Sequence, residues 1–355
     1  MDARIPIETD VAIVGAGPVG LFQVFELGLL ALKAHVIDSL PELGGQCVEL
    51  YPDKPIYDIP AIPVCGAREL VDRLLAQIRP FAPEFHLGQQ VTSCTREPDG
   101  RLRLCTGAGR EFLARSVVIA AGVGAFVPRR LALAQAAAFE GSQIHYAVKD
   151  RERFRGKDIV LAGGGESAFD WVLDLVDVAS SVVMLHRSQD FRAVESKVRR
   201  MRALCDAQRL QFIEGEIVGL DVEQQRLRAV RVRGRDGVTR VVGLDHLLAF
   251  FGLHPKLGPI AEFGLMLDSN QIVVDTAAFR TSEPGIYAVG DIATYPGKRK
   301  LILSGFHEAT LAAFHIKEYL NPGQKVHLQY TTTSPVMHRR LGVASDPEYA
   351  AQRIA

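Results

Sequence analysis

Gly15, Gly17 and Gly20 stand in the pattern Gly15-Ala16-Gly17-Pro18-Val19-Gly20, directly after the β-branched run Asp10-Val11-Ala12-Ile13-Val14 and before a helix-length apolar stretch. If the ligand is a dinucleotide, each glycine has its own duty. Gly15 allows the tight turn, Gly17 lets a pyrophosphate approach the backbone, and Gly20 lets helix and strand pack closely. The helix N-terminus that follows offers free N–H groups and a partial positive charge to the phosphates. The next apolar run, Ala34-His35-Val36-Ile37-Asp38, ends on a carboxylate placed to accept the two hydroxyls of an adenosine ribose.

A second pattern of the same kind follows. Gly163-Gly164-Gly165-Glu166-Ser167-Ala168 succeeds the run Asp158-Ile159-Val160-Leu161-Ala162, with alanine in the third glycine place, a variant the pattern allows. Its second strand, Ser181-Val182-Val183-Met184-Leu185-His186, leads into Arg187 and Ser188, with Arg192 shortly after, where an NAD site would carry a carboxylate. A carboxylate repels a ribose 2′-phosphate, whereas guanidinium groups bind it through forked, charge-assisted hydrogen bonds. The expectation is therefore NADP(H) rather than NAD(H), held by Gly163, Gly165, Glu166, Ser167, His186, Arg187 and Arg192.

These residues need two strand–helix–strand units to position them, beginning about 150 residues apart, which points to two domains in a chain of 355 residues. Alternating runs at 91–96, 101–106 and 115–120 are expected to form a small antiparallel insert, and runs at 216–222, 227–233 and 239–244 a second. The run Gly285-Ile286-Tyr287-Ala288-Val289-Gly290-Asp291, followed by a helix over about 303–320, is expected to return to the first domain.

Taken together, Gly15-Ala16-Gly17-Pro18, Gly163-Gly164-Gly165-Glu166-Ser167-Ala168, the His186-Arg187 to Arg192 turn and Tyr287-Ala288-Val289-Gly290-Asp291 resemble the two-domain flavoprotein fold of bacterial thioredoxin reductase. That family relays electrons through a Cys-x-x-Cys, and this sequence contains none. The segment Leu43-Gly44-Gly45-Gln46-Cys47-Val48-Glu49-Leu50-Tyr51-Pro52, continuing through Lys54 to Asp58, is more similar to the thioredoxin-reductase-like ferredoxin–NADP reductases. The resemblance implies an α/β fold of two Rossmann-like, three-layer nucleotide-binding domains, the FAD-binding one discontinuous. Its parts would be 1–123 and 252–320, with an NADPH-binding domain at 124–251 and an extension at 321–355 covering the flavin.

The same resemblance places Gly15, Gly17, Pro18, Gly20, Asp38, Gln46, Tyr51, Val91, Phe126, Asp291 and Thr332 on FAD. Tyr51 would stack on one face of the isoalloxazine and Tyr330 on the other, Gln46 would meet its pyrimidine end, and Asp291 would hold the ribityl chain or a phosphate-linked water. Cys47 would be an unpaired thiol near the flavin. No side-chain acid, base or metal has to act, because the cofactors carry the chemistry. The implied partner is ferredoxin or flavodoxin, acidic proteins that would dock on local basic clusters such as Lys298-Arg299-Lys300, Arg129-Arg130 or Arg199-Arg200. A homodimer, in which the extension reaches the other subunit's flavin, is also implied.

Composition narrows the alternatives. Lys plus Arg equals Asp plus Glu at 41 each, so no net field attracts nucleic acid or an anionic membrane. Five widely spaced cysteines argue against a disulfide framework. The opening residues lack a basic start and apolar core, and the 19–32 stretch is interrupted by Gln23 and Glu26, so cytoplasmic residence without a membrane span is expected. Two other functions stay open. Phe139-Glu140-Gly141-Ser142-Gln143-Ile144-His145 partly matches flavin-dependent monooxygenases but fails at Lys149, and a non-catalytic redox sensor would bind both nucleotides without turnover.

Overall fold

The computed structural model describes residues 5–343 apart from 53 and 149. The chain divides into two compact units, one of residues 1–125 with 255–355 and the other of residues 126–254.

In the larger unit, Val11, Ala12 and Ile13 are wholly buried, as a strand covered on both faces requires. That strand, Ile7–Val14, pairs in parallel with Ala34–Ile37 on one side and Glu111–Ile119 on the other. Glu84–His86 extends the parallel sheet beyond Ala34–Ile37. The first half of Glu111–Ile119 pairs antiparallel with Leu102–Thr106, which in turn pairs with Val91–Arg96, while its last three residues pair in parallel with Ile286–Ala288. The 91–119 runs are thus not a separate insert, as expected from sequence, but the continuation of one seven-stranded sheet. A nine-residue strand is long enough to hold two partners in succession along one edge.

The helices Pro18–Leu29, Ala67–Ile78 and Ile302–Leu320 pack with the first in the middle. The smaller unit repeats the plan, with parallel strands Ile144–His145, His246–Phe250, Asp158–Gly163 and Ser181–His186 leading into Gln211–Glu223. Arg226–Gly234 and Thr239–Gly243 then continue the sheet antiparallel, again without a break. Among the described residues no helix is long and apolar enough to cross a membrane.

Candidate functional site

The first glycine loop joins Ile7–Val14 to Pro18–Leu29. Gly15 has φ +116°, and a Cβ there would lie 2.4 Å from the Ala120 carbonyl oxygen, so only glycine fits. Gly17 differs, since a Cβ on it would meet nothing within 4 Å. The space over Gly17 is open, and the helix it begins has no side-chain cap, which leaves the first-turn N–H groups for a ligand. This is the cradle a pyrophosphate needs, and the residues fit that group.

Asp38 lies 8% exposed beside this loop. Its Oδ2 accepts from the Ala16 N–H at 2.5 Å and its Oδ1 from the Leu40 N–H at 2.8 Å. Burial pushes its pKa up, against the pull of those backbone donors. Both oxygens retain lone pairs with which to accept ribose hydroxyls.

The segment after Asp38 returns to the loop, with Gly44 N–H donating to the Ala16 carbonyl at 2.9 Å. Gln46 then starts the helix Gln46–Leu50, and its amide lies along Gly122, where a Cβ would be 2.8 Å from Nε2. One turn on, the Tyr51 Oη and the buried Cys47 Sγ are 3.6 Å apart. Burial raises the pKa of both groups, and the Asp291 carboxylate raises them further. Cys47 is therefore a neutral thiol, poorly suited to nucleophilic or redox attack. The Asp291 carboxylate itself has no hydrogen-bond partner among the described residues. Gln46, Tyr51 and Asp291 are thus brought to the same unit as Gly15, Gly17 and Asp38. Val91 is also there, but its side chain is 4% exposed, so only its main chain can face a ligand. Phe126 lies in Ala125–Pro128, whose side chains are outside the described residues.

Tyr330 and Thr332 are not brought to this loop. Tyr330 is 66% exposed, and the segment is knotted on itself by the Ser334 N–H bond to the Tyr330 carbonyl and the His338 bond to the Thr331 carbonyl. The helix Pro335–Leu341 then fastens it to the far end of Pro18–Leu29, with Arg340 donating to the Leu29 carbonyl. That is the opposite end of the helix from the glycine loop, roughly 18 Å away at 1.5 Å per residue. Residues 344–355 lie outside the described residues.

Lys298, expected in a basic docking cluster, is withdrawn from the surface. Its side chain is 7% exposed and pairs with Glu308, which is wholly buried. Glu308 also accepts from the Gly290 N–H at 2.6 Å and the Tyr295 hydroxyl at 2.8 Å. A buried carboxylate thus fixes the turn that carries Asp291. Glu308 was missed from sequence, although a charge set among Ala309, Ala312 and Ala313 on the inward helix face was a signal. Arg299 and Lys300 remain exposed.

In the smaller unit the second loop leads into the helix Glu166–Leu175, again without a side-chain cap. Gly165 has open space where a Cβ would be, and Gly163 would strike the Phe250 carbonyl. The His186 ring lies over Gly164, and its Nδ1 donates to the Ser188 carbonyl at 2.7 Å. Ser167 is exposed in the first helical turn. Arg187 and Arg192 are exposed, and neither has an acidic partner among the described residues. Glu166, expected on the coenzyme, accepts from the Val194 N–H and the Lys197 ammonium. The monooxygenase-like segment is committed to structure, since the Gln143 amide bonds Leu227 and the Asp245 carbonyl. Lys149 lies outside the described residues.

Residues 9–313 match the sequence pattern of the pyridine nucleotide-disulphide oxidoreductases. A protein of Methylibium petroleiphilum named ferredoxin–NADP reductase is 58% identical over 342 residues, covering 95% of this chain and 93% of that one. Ferredoxin–NADP reductase 2 of Cupriavidus metallidurans is 59% identical over 338 residues, covering 95% and 92%. Among solved structures, T. acidophilum thioredoxin reductase superposes over 88% of this chain and 98% of its own, with a TM-score of 0.70 at 21% identity. Lactococcus lactis thioredoxin reductase in the FR conformation gives 0.70 at 23%, over 88% and 99%. The thioredoxin-reductase-like fold expected from the sequence is the fold observed.

Proposed function

The chain belongs to the pyridine nucleotide-disulphide oxidoreductase family, alongside its ferredoxin–NADP reductases, and on that premise we propose that it moves electrons between NADPH and ferredoxin through FAD. The observation that carries this reading is the contrast between the two glycine loops. One has the buried carboxylate of Asp38 beside it, and the other has two exposed guanidinium groups without carboxylate partners among the described residues. The first suits the free ribose hydroxyls of FAD, the second the 2′-phosphate of NADPH. A disulfide-reducing role lacks support, because the sequence has no Cys-x-x-Cys.

When bound, the flavin takes the two electrons of a hydride and releases them singly. The chain's own residues bind and orient. Gly15 and Gly17 admit the pyrophosphate, Asp38 takes the ribose, Gln46 meets the pyrimidine end of the ring, Asp291 holds the ribityl chain or a phosphate-linked water, and Tyr51 shields one flavin face. Gly163, Gly165, Ser167, His186, Arg187 and Arg192 hold NADPH. Arg299 and Lys300 offer an acidic partner a local basic patch. Tyr330, exposed and fastened away from its own loop, serves the second flavin face of another copy in a homodimer. Residence in the cytoplasm agrees with these soluble partners.

The test is anaerobic titration of the FAD-loaded protein with NADPH and NADH, followed by oxidised ferredoxin and a cytochrome reporter. Bleaching by NADPH at far lower concentration than NADH, then ferredoxin-dependent reduction of the cytochrome, is expected. Bleaching without transfer to ferredoxin would refute the acceptor assignment.

A further inference from the structure

The segment 187–194, which carries Arg187 and Arg192, is fastened to the second glycine loop at several points. The Arg192 N–H donates to the Gly164 carbonyl at 2.8 Å, and Arg192 forms a parallel bridge with Gly165. Phe191 points inward and meets Phe169 and Phe212 edge-on, with ring centroids 5.1 and 5.5 Å apart. At the far end, Val194 N–H donates to Glu166 Oε1 at 2.5 Å. The other Glu166 oxygen lies 2.6 Å from Lys197 Nζ, and the same ammonium is 2.5 Å from Asp170 Oδ1.

Glu166 and Asp170 sit one turn apart on the helix Glu166–Leu175, so Lys197 spans two carboxylates on one face. Lys197 belongs to the first turn of the next helix, Glu195–Asp206. Burial disfavours its charge, but the hydrogen bonds to Asp170 and Glu166 outweigh that and hold its pKa above the usual lysine value. The ammonium thus stays charged throughout the working pH range. Its single positive charge offsets part of the negative charge of Glu166 and Asp170 on that helix face.

We propose that Lys197, bridging Glu166 and Asp170, is a positioning residue for coenzyme choice: it latches the start of the Glu195–Asp206 helix to the second glycine loop and so holds Arg187 and Arg192 ready for the 2′-phosphate. The proposal rests on the NADPH reading of those arginines. Two charges on an exposed loop bind a phosphate well only if ordering them is not paid for during binding. The latch places that ordering in the free protein. It acts also by charge, because the Lys197 ammonium offsets the negative charge that Glu166 presents beside the loop meant for the anionic coenzyme. NADH, which lacks the 2′-phosphate, gains little from either effect.

The experiment measures KM and kcat of the FAD-loaded protein with NADPH and with NADH, using ferricyanide as acceptor. The variants are Lys197→Met and Lys197→Arg, with Arg187→Ala/Arg192→Ala as the control for the underlying reading. For Lys197→Met, KM for NADPH should rise on the order of tenfold, with KM for NADH and kcat near those of the parent. Lys197→Arg, which keeps the charge and can reach both acids, should recover most of the loss. A KM ratio unchanged in Lys197→Met while the double arginine variant loses its preference would overturn the latch and leave the NADPH reading intact. A ratio unchanged in the arginine variant as well would overturn the reading beneath it. Thermal melts followed by circular dichroism guard against misfolding, since a merely structural loss would raise both KM values together and Lys197→Arg would not separate them.

Discussion

Glu308→Ala removes the carboxylate that neutralises Lys298 inside the larger unit. The wild-type group is wholly buried and receives the Lys298 ammonium, the Gly290 N–H and the Tyr295 hydroxyl. Lys298 also lies over the Tyr295 ring, 5.4 Å from its centroid, and only 7% of its side chain is exposed. The substitution therefore strands a buried cation and leaves a backbone donor and a phenol unpaired. Removing one partner of a buried ion pair costs about 3–5 kcal/mol. For a unit of this size, 1 kcal/mol moves the melting temperature by roughly 2–4 °C, so a fall of about 6–20 °C is expected. Lys298→Met combined with Glu308→Leu, which replaces the pair by apolar groups of similar volume, should recover most of that fall. The assay is thermal unfolding by circular dichroism with excess FAD, together with the flavin content after gel filtration, because the Gly290–Ile292 turn carries Asp291. A Glu308→Ala melt within about 2 °C of wild type, or a double variant no more stable than the single, would refute the reasoning.

Four further outcomes follow from the geometry. Gly17→Ala, at φ −72° with open space over the Cβ, should leave the apoprotein's melting temperature unchanged yet lower FAD affinity at least about tenfold by fluorescence titration; Gly15→Ala, at φ +116° against Ala120, should destabilise the apoprotein itself. Arg187→Ala and Arg192→Ala should each raise KM for NADPH roughly 10- to 100-fold, from the worth of a charge-assisted hydrogen bond, with an effect that shrinks at high salt. Burial, with Arg153 and His246 nearby, pushes the His145 pKa down to about 4, below the ordinary value of 6.5. The unfolded chain then takes up a proton that the folded chain refuses, so this stability is complete above about pH 6.5 and is lost as pH falls toward 4, by up to about 3 kcal/mol. Urea midpoints from pH 7.5 to 4.5 should fall with pH, and His145→Gln should make that fall shallower, the lowered pKa values of His35, His86, His246 and His315 supplying the remainder. Finally, Arg299→Glu combined with Lys300→Glu should slow ferredoxin reduction at low salt while KM for NADPH stays constant; an equal rate for both proteins would move the docking site elsewhere.

The residues proposed to bind nucleotide were legible in the sequence where their placement depends on short-range geometry. A strand, a glycine turn and a helix N-terminus are made by adjacent residues, so Gly15, Gly17, Gly163 and Gly165 declare themselves by spacing alone. Asp38 and Arg187 follow because each stands at the end of the next strand, a distance fixed by one helix and one turn. The two-unit plan was legible for the same reason, since each unit opens with such a pattern.

What the tertiary structure decided depends on residues far apart in the chain. Lys298, Arg299 and Lys300 look alike as a basic run, yet burial against Glu308 makes the first a structural cation and leaves the other two exposed. Glu166 is legible as part of the second glycine pattern, but its partners Val194 and Lys197 lie about thirty positions on and are met only in the fold. The strand Glu111–Ile119 serves two partners on one edge because Ile286–Ala288 returns to it from the other end of the chain. Tyr330 was expected on a flavin face from resemblance alone, and only the fold shows that the helix following it is tied by Arg340 to Leu29, at the end of Pro18–Leu29 away from the glycine loop. Local spacing fixes where a backbone turns and which groups it leaves open, whereas the charge a buried group keeps and the face a distant segment covers are set by desolvation and pairing, which arise only when remote parts of the chain meet.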